Sequence, residues 1–251
     1  MNNQNRVISF CKPDDEFGGL SNLADGYPLQ LNGLKVPSSE HLYQALKFSD
    51  HPEIQKSILE AKTPAESIKI ASNKTLNGGK TALSAHANRQ KFAVTSKIKP
   101  YSENAEEVAQ KLAQQQAHDA KIRPDWDQIK LEVMNYCIRV KLINNWVQFG
   151  ELLRSTGDRE IVLKAPKKES FWGLFTSKDG YCRCGYNHLG RLLMNVRNEL
   201  NNPNNEPLRV LVPPAHLNLM LLGSEIELID RRDHLCQVGT RMSAYVAEIR
   251  A

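Results

Sequence analysis

Two periodicities divide the chain: apolar positions three and four apart predict helices, and alternating apolar and polar positions predict half-buried strands. Residues 6–10, RVISF, read as a strand, followed over 11–28 by a loop rich in Gly, Asp and Pro. Residues 29–36, LQLNGLKV, read as two short strands turned at Asn32-Gly33, residues that tolerate positive φ and so favour a tight hairpin. In PSSEHLYQALKFSD, Leu42, Ala45, Leu46 and Phe48 form the apolar face of a helix that Ser38 or Ser39 can cap. PEIQKSILEA and TPAESIKIAS supply two more helices, the second with Thr63 as cap and Pro64 in the first helical position.

From about Asn73 to Arg123 the periodicity fails. A polar, basic stretch and then a polar helix read as an insertion rather than core. Residues 125–145 form the strongest helix of the chain, with Asp125 as cap and Ile129, Val133, Cys137 and Val140 on its apolar face. WVQFGELLRST predicts a helix ended by Gly157, and REIVLKA alternates like a strand. KKESFWGLFTSKDGYCRCGYN reads as a Gly- and aromatic-rich loop, and HLGRLLMNVRNEL as a helix capped by Asn187. The linker NNPNNEP precedes short strands in LRVLVPP, SEIELID and SAYVAEIRA. The expected fold is α+β: a mainly helical single domain around a small sheet over 1–200, with the insertion at about 73–123 and a short β-containing C-terminal extension over 201–251.

Composition changes this picture little. With 41% hydrophobic and 24% charged residues over 251 positions, the chain can bury a substantial core. The formal charge of +5 favours anionic partners such as phosphates or nucleic acid. No apolar run approaches the roughly 20 residues that cross a bilayer, so no membrane association is expected. The first residues, MNNQNRVISF, lack the basic start and apolar core of a secretory signal. Of Cys11, Cys137, Cys182, Cys184 and Cys236 only two are close, and a single Cys-x-Cys is a poor zinc signature. The expectation is reduced thiols and a cytoplasmic location.

Several short segments carry more information together than singly. They are Ser21-Asn22 in the Gly-rich loop, Pro37-Ser38-Ser39-Glu40-His41 continuing through Tyr43-Gln44-Ala45 and Lys47-Phe48, Asp125-Trp126, Phe171-Trp172-Gly173, and Asn187-His188-Leu189-Gly190. In this order they resemble the NADAR family, over about residues 7–200. Lys69 and Ala71 stand where family members often carry Arg and Gly, and Glu169 stands where a loop Asp is usual. The stretch 73–123 is extra relative to compact members.

The resemblance implies a metal-independent hydrolase, without cofactor, that cleaves an N-glycosidic bond between a phosphorylated ribose and a base. Such a reaction builds oxocarbenium charge on the sugar, which a carboxylate can stabilise while it orients or deprotonates a water. Position alone makes Glu40 a helix-start residue favoured by the macrodipole; the resemblance implies that it is catalytic. Glu169 is the candidate second acidic group. Trp126 and Trp172 are candidates to stack on a base or cap a ribose, against ordinary core packing. Asn187 and Gly190 can present helix-start N–H groups to a phosphate, against ordinary capping. Ser21 and Asn22 are candidates to line the ribose or phosphate pocket, against a surface turn, and Lys47 to reach a phosphate, against a solvated helix lysine. His41 can donate to the leaving base, although a helix histidine is more often structural, and Gly173 is a further candidate substrate contact. Trp146 carries no motif and is assigned to packing.

Two substrate classes belong to the resemblance: ADP-ribose on guanine bases of nucleic acid, and phosphoribosyl intermediates of riboflavin synthesis. The basic residues Lys74, Lys80, Arg89, Lys91, Lys97 and Lys99 favour the first and place DNA among the candidate partners. Two rivals of another class are a non-catalytic reader of NAD or ADP-ribose, which needs no Glu40, and a nucleic-acid-binding protein whose basic segment is the working part.

Overall fold

The computed structural model describes residues 7–72, 121–177 and 183–232. The basic segment, the polar helix expected after it, and the last expected strand at 243–251 lie outside these. The described residues form a mixture of helices and short two-stranded sheets, and they divide into two compact units.

The first unit comprises 1–35, 138–213 and 227–251. Its centre is a parallel pair, β1 (Val7–Phe10) on β4 (Glu160–Leu163), with Ile8 beside Ile161 and Phe10 beside Leu163. Helix α6 (His188–Leu200) packs on β4, and α5 (Trp146–Ser155) packs on α6. Phe10, Phe149, Leu153, Ile161, Leu193, Val196 and Leu200 are sealed in this core. Burying each such side chain contributes on the order of 1.5–3 kcal/mol. Gly157 ends α5 at φ +56°, as its position predicts. The Asn32-Gly33 turn, both residues at positive φ, joins β2 (Leu29–Leu31) to β3 (Leu34–Val36). An antiparallel pair of β7 (Val210–Leu211) and β10 (Ile229–Asp230) belongs to the same unit.

The second unit comprises 36–137 and 214–226. Helices α1 (Ser39–Ala45), α2 (Pro52–Leu59) and α3 (Pro64–Ser72) pack on one another. Ser38 caps α1, its Oγ accepting from the His41 N–H at 3.4 Å, and Thr63 caps α3 through the Glu66 N–H at 3.1 Å. Gln55, fully buried, donates to the Ala45 carbonyl at 3.2 Å and the Met220 carbonyl at 2.8 Å, and accepts from the Leu222 N–H at 2.6 Å. That single amide ties the hairpin of β8 (Met220–Leu221) and β9 (Ser224–Glu225) to the helices.

Helix α4 (Trp126–Asn144) is the longest described, and its residues divide between the units at Cys137 and Ile138. Val133, Met134, Tyr136, Cys137, Ile138, Val140 and Leu142 are all buried. So broad an apolar surface is that of a helix enclosed nearly all round. Asp125 precedes it as expected, but its carboxylate goes to Arg123 rather than to the helix N–H groups.

The stretch 167–187 corrects the expectation of a loop. It contains an antiparallel pair, β5 (Leu174–Thr176) with β6 (Arg183–Gly185), and Lys164 bridges to Leu174. Gly173 and Gly185 make the tight approach feasible. A Cβ on Gly173 would stand 2.5 Å from the Leu163 carbonyl oxygen, and one on Gly185 2.6 Å from that of Gly173.

Candidate active site

Helix α1, the turn that follows it and the start of α4 meet around Glu40 in the second unit. The residue lies in the first turn of α1, buried to 8% exposure, and accepts a hydrogen bond from Gln44 Nε2 at 2.5 Å one helical turn on. Burial pushes its carboxyl above the ordinary glutamate range, against the opposing influence of Gln44 and the Lys47 charge. Lys47 follows two turns after Glu40, and burial lowers its pKa while Glu40 acts in the other direction. Its Nζ stands 5.5 Å from the Tyr43 ring centre and 5.7 Å from that of Trp126, and the two rings lie 5.0 Å apart. Carboxylate, ammonium and two aromatic walls thus occur within α1, the 3-10 turn Leu46–Phe48 that follows it, and the start of α4.

Arg123 sets this geometry. It clamps Asp125 with Nε and Nη2 at 2.7 and 2.8 Å, and its own N–H donates to the Lys47 carbonyl at 2.9 Å. Its Nη1 reaches Ser49 Oγ at 3.2 Å and the Asn218 carbonyl at 3.3 Å. The Asp-Trp pair therefore docks α4 against the end of α1 and delivers Trp126 to Tyr43. Beneath them Cys137 is a fully buried thiol held protonated by burial and by Glu40.

Polar capacity is left over here. Ser39 Oγ, Gln44 Oε1 and Tyr136 Oη are buried without a hydrogen-bond partner among the described residues. Buried groups of this kind are rare and call for an explanation. Gln44 fixes Glu40 with one end of its amide and keeps an acceptor at the other.

Of the two readings of His41, the geometry fits the structural one rather than a donor to a leaving base. The ring is buried, with Nδ1 2.8 Å from Ser38 Oγ and Nε2 3.1 Å from the Ala61 carbonyl. Both nitrogens are occupied in holding α1 to the segment before α3.

In the first unit the Phe-Trp-Gly and Asn-x-Leu-Gly segments form one structural device. Asn187, at φ +51°, does not cap α6 with its side chain. Its Oδ1 accepts from the Leu163 N–H at 3.2 Å and its Nδ2 donates to the Ile161 carbonyl at 2.9 Å, so the amide completes the edge of β4 like a backbone peptide. Carbonyls of the preceding loop cap the helix instead. Gly173 accepts from the Asn187 N–H at 3.1 Å, Phe171 from His188 at 3.3 Å and Trp172 from Leu189 at 3.1 Å. Of the two N–H groups expected at a phosphate, those of Asn187 and Gly190, the protein already uses the first. A Cβ on Gly190 would overlap the Ile161 carbonyl oxygen, so this glycine is the contact by which α6 meets β4. Trp172 is half-buried and meets Phe171 edge-on at 4.8 Å. Glu169 is exposed on the loop before them.

Ser21 and Asn22 are buried rather than set on a surface turn. Lys141 holds their loop, donating to the Gly19 carbonyl at 2.6 Å and the Ser21 carbonyl at 2.9 Å. Its ammonium lies 4.1 Å from the Tyr27 ring centre and 4.5 Å from that of Phe149. Burial lowers its pKa to about 7. The helical pattern of α4 gave no sign of Lys141, because a lysine among apolar neighbours reads as an interruption of the face.

Cys184 is disulfide-bonded, which corrects the expectation of reduced thiols throughout; Cys11 and Cys137 are free. Among the described residues no three His, Cys, Asp or Glu side chains gather as a metal site, and no helix is long and apolar enough to cross a membrane.

Comparison with known proteins adds an independent line. The NADAR domain matches residues 86–201. A riboflavin biosynthesis protein of Vibrio vulnificus is 31% identical over 195 residues, covering 77% of this chain and 38% of its own length. The chain thus spans well under half of that relative. N-glycosidase YbiA of Escherichia coli is 24% identical over 197 residues, covering 78% of this chain and 90% of YbiA. The NMR structure of E. coli YbiA superposes with a TM-score of 0.51 at 23% identity, covering 78% of this chain and 86% of that one, which shows a shared fold.

Proposed function

Because the chain belongs to the NADAR family, we propose that it is an N-glycosidase whose reaction is carried by Glu40, with ADP-ribose on guanine bases of nucleic acid as substrate. The supporting observation is the setting of Glu40: a buried carboxylate, oriented by Gln44, beside Lys47 and the Tyr43–Trp126 pair. The N-glycosidase name of the relative YbiA supports chemistry at an N-glycosidic bond.

The hydrolysis runs as follows. The C1′–N bond breaks with its electron pair going to the base, and a water oxygen bonds to C1′. One proton of that water passes to Glu40 and from there to the departing nitrogen, so the products are the free sugar hydroxyl and a protonated base. A carboxylate whose pKa is raised by burial is, once ionised, the stronger proton acceptor for this step. Lys47 supplies positive charge beside it for an anionic substrate, and the indole and phenol rings offer a flat apolar wall for a base.

The experiment is incubation of the pure protein, with EDTA, on an oligonucleotide bearing ADP-ribosylated guanine, followed by mass spectrometry. Wild type releases ADP-ribose, and Glu40→Gln, folded normally, is slower by at least about a hundredfold. Near-wild-type turnover by the variant sinks the role of Glu40. The 31% identity to a riboflavin biosynthesis protein favours a second reading, hydrolysis of phosphoribosyl riboflavin precursors, which is the next substrate to test.

A further inference from the structure

Within the first unit, apart from every residue assigned to the Glu40 site, lies a cavity of about 620 Å³. That is within the range of roughly 300–1,000 Å³ typical of small-molecule sites. Its walls come from the β2–β3 hairpin, the junction of α4 and α5, and the β7–β10 pair. Among its lining residues are Lys35, Arg209 and Arg231, and none is acidic.

The arginines are placed, not scattered. The register of β7 on β10 continues in a hydrogen bond from the Arg231 N–H to the Arg209 carbonyl at 2.9 Å, which puts the two side by side. The Arg209 guanidinium stacks on Trp146, 4.0 Å from the ring centre, and burial lowers its pKa, with the Glu206 charge opposing and Arg154 adding to that shift. Arg231 Nη2 reaches Asn144 Oδ1 at 3.5 Å, and that oxygen also accepts from the Gln30 N–H at 3.0 Å. Val147, at 66% exposure, adds an apolar face beside Trp146. An exposed aliphatic surface, an indole and a stacked guanidinium offer planes for a base, and the cations offer partners for its phosphate. Arg209 and Arg231 lie beyond the residues that match the NADAR domain, so the C-terminal extension supplies one wall of this cavity.

We infer that this cavity is a second, non-catalytic binding site for a nucleotide, held by Arg209, Trp146 and Lys35, through which the extension anchors a phosphate-bearing ligand. The chemistry is shared by a free nucleoside monophosphate and by a nucleotide within a single strand.

The test is direct binding by the full chain, which does not depend on turnover and so stands or falls apart from Glu40. Labelled single-stranded DNA is titrated by fluorescence anisotropy over a salt series, and GMP by the change in tryptophan emission. Arg209→Gln should weaken binding by at least about tenfold, as loss of a charge-assisted contact does. Lys35→Gln changes an exposed side chain and should weaken strand binding while reducing the salt slope by about one. Saturable binding of both ligands identifies a free-nucleotide site, and binding of the strand alone identifies a nucleic-acid anchor. Absence of binding by wild type, or equal affinity in wild type and both variants, overturns the inference.

Discussion

Replacing Asn187 with Ala separates a structural amide from a substrate-binding one. In the wild type the side chain satisfies the Leu163 N–H and the Ile161 carbonyl at the edge of β4, the latter in a buried setting. Alanine leaves both unpaired, and an orphaned buried donor or acceptor costs about 1–3 kcal/mol. Partial hydration of the Leu163 N–H, which is only part-buried, brings that loss toward the lower end. The residue also sits at φ +51°, ψ +38°, where Asn is favoured and alanine adds about 1 kcal/mol. The sum is about 3–5 kcal/mol, a large part of the stability of a small domain. Urea unfolding at fixed pH, followed by circular dichroism, measures it. Asn187→Asp provides the contrast: it keeps the acceptor for Leu163 but turns a carboxylate oxygen toward the Ile161 carbonyl, so it should also destabilise. A loss under about 1 kcal/mol for Asn187→Ala, together with abolished turnover, would refute the structural assignment and return Asn187 to the substrate.

Further outcomes follow from the same contacts. Glu40→Gln should raise stability above neutral pH while it removes activity. The folded-state pKa of Glu40 is raised by burial, so its stabilising protonated form is lost as pH rises through that value, and the neutral amide escapes this loss; unfolding midpoints equal to wild type at every pH would contradict it. The acid limb of kcat/KM should lie above the ordinary glutamate range, and a limb at that ordinary value would separate Glu40 from proton transfer. Lys141→Met should flatten the pH dependence of stability between pH 10 and 7. The lysine pKa falls from 10.5 to about 7 on burial, so its contribution is present above 10.5 and lost as pH falls through 7, by up to about 5 kcal/mol before its carbonyl and ring contacts offset part; parallel profiles for the two proteins would show that those contacts outweigh burial. Deleting residues 75–121 should impair nucleic-acid substrates more than free nucleotides, and equal loss on both would make the segment structural.

Local pattern was enough for most elements. The Asn32-Gly33 hairpin, the caps at Ser38 and Thr63, the stop at Gly157 and the three-helix run after Val36 were legible because each depends on neighbours within four residues. The β5–β6 pair was missed because a glycine-rich, aromatic stretch has no alternation to read; Gly173 and Gly185 are there for close backbone approach, which only the partner strand reveals. At the site, Glu40 and Lys47 were legible as one helix face, and Trp126 as a motif residue. That His41 is held by Ser38 and Ala61, or that Asn187 pairs with β4, was not, since both partners of such a choice are polar groups that sequence leaves equally available.

By itself, the sequence determined the resemblance to the NADAR family, the helical character around Glu40 and the residues with chemistry to offer, because periodicity, capping and motif order are properties of local chain. Only the tertiary structure decided which of those residues remain available for chemistry. Burial and long-range hydrogen bonds engaged His41, Asn187 and the first N–H groups of α6 in the fold. They left Glu40 with Gln44 and an unused acceptor. They also brought Arg209 to Trp146 across more than sixty residues of chain, a contact that no local pattern encodes.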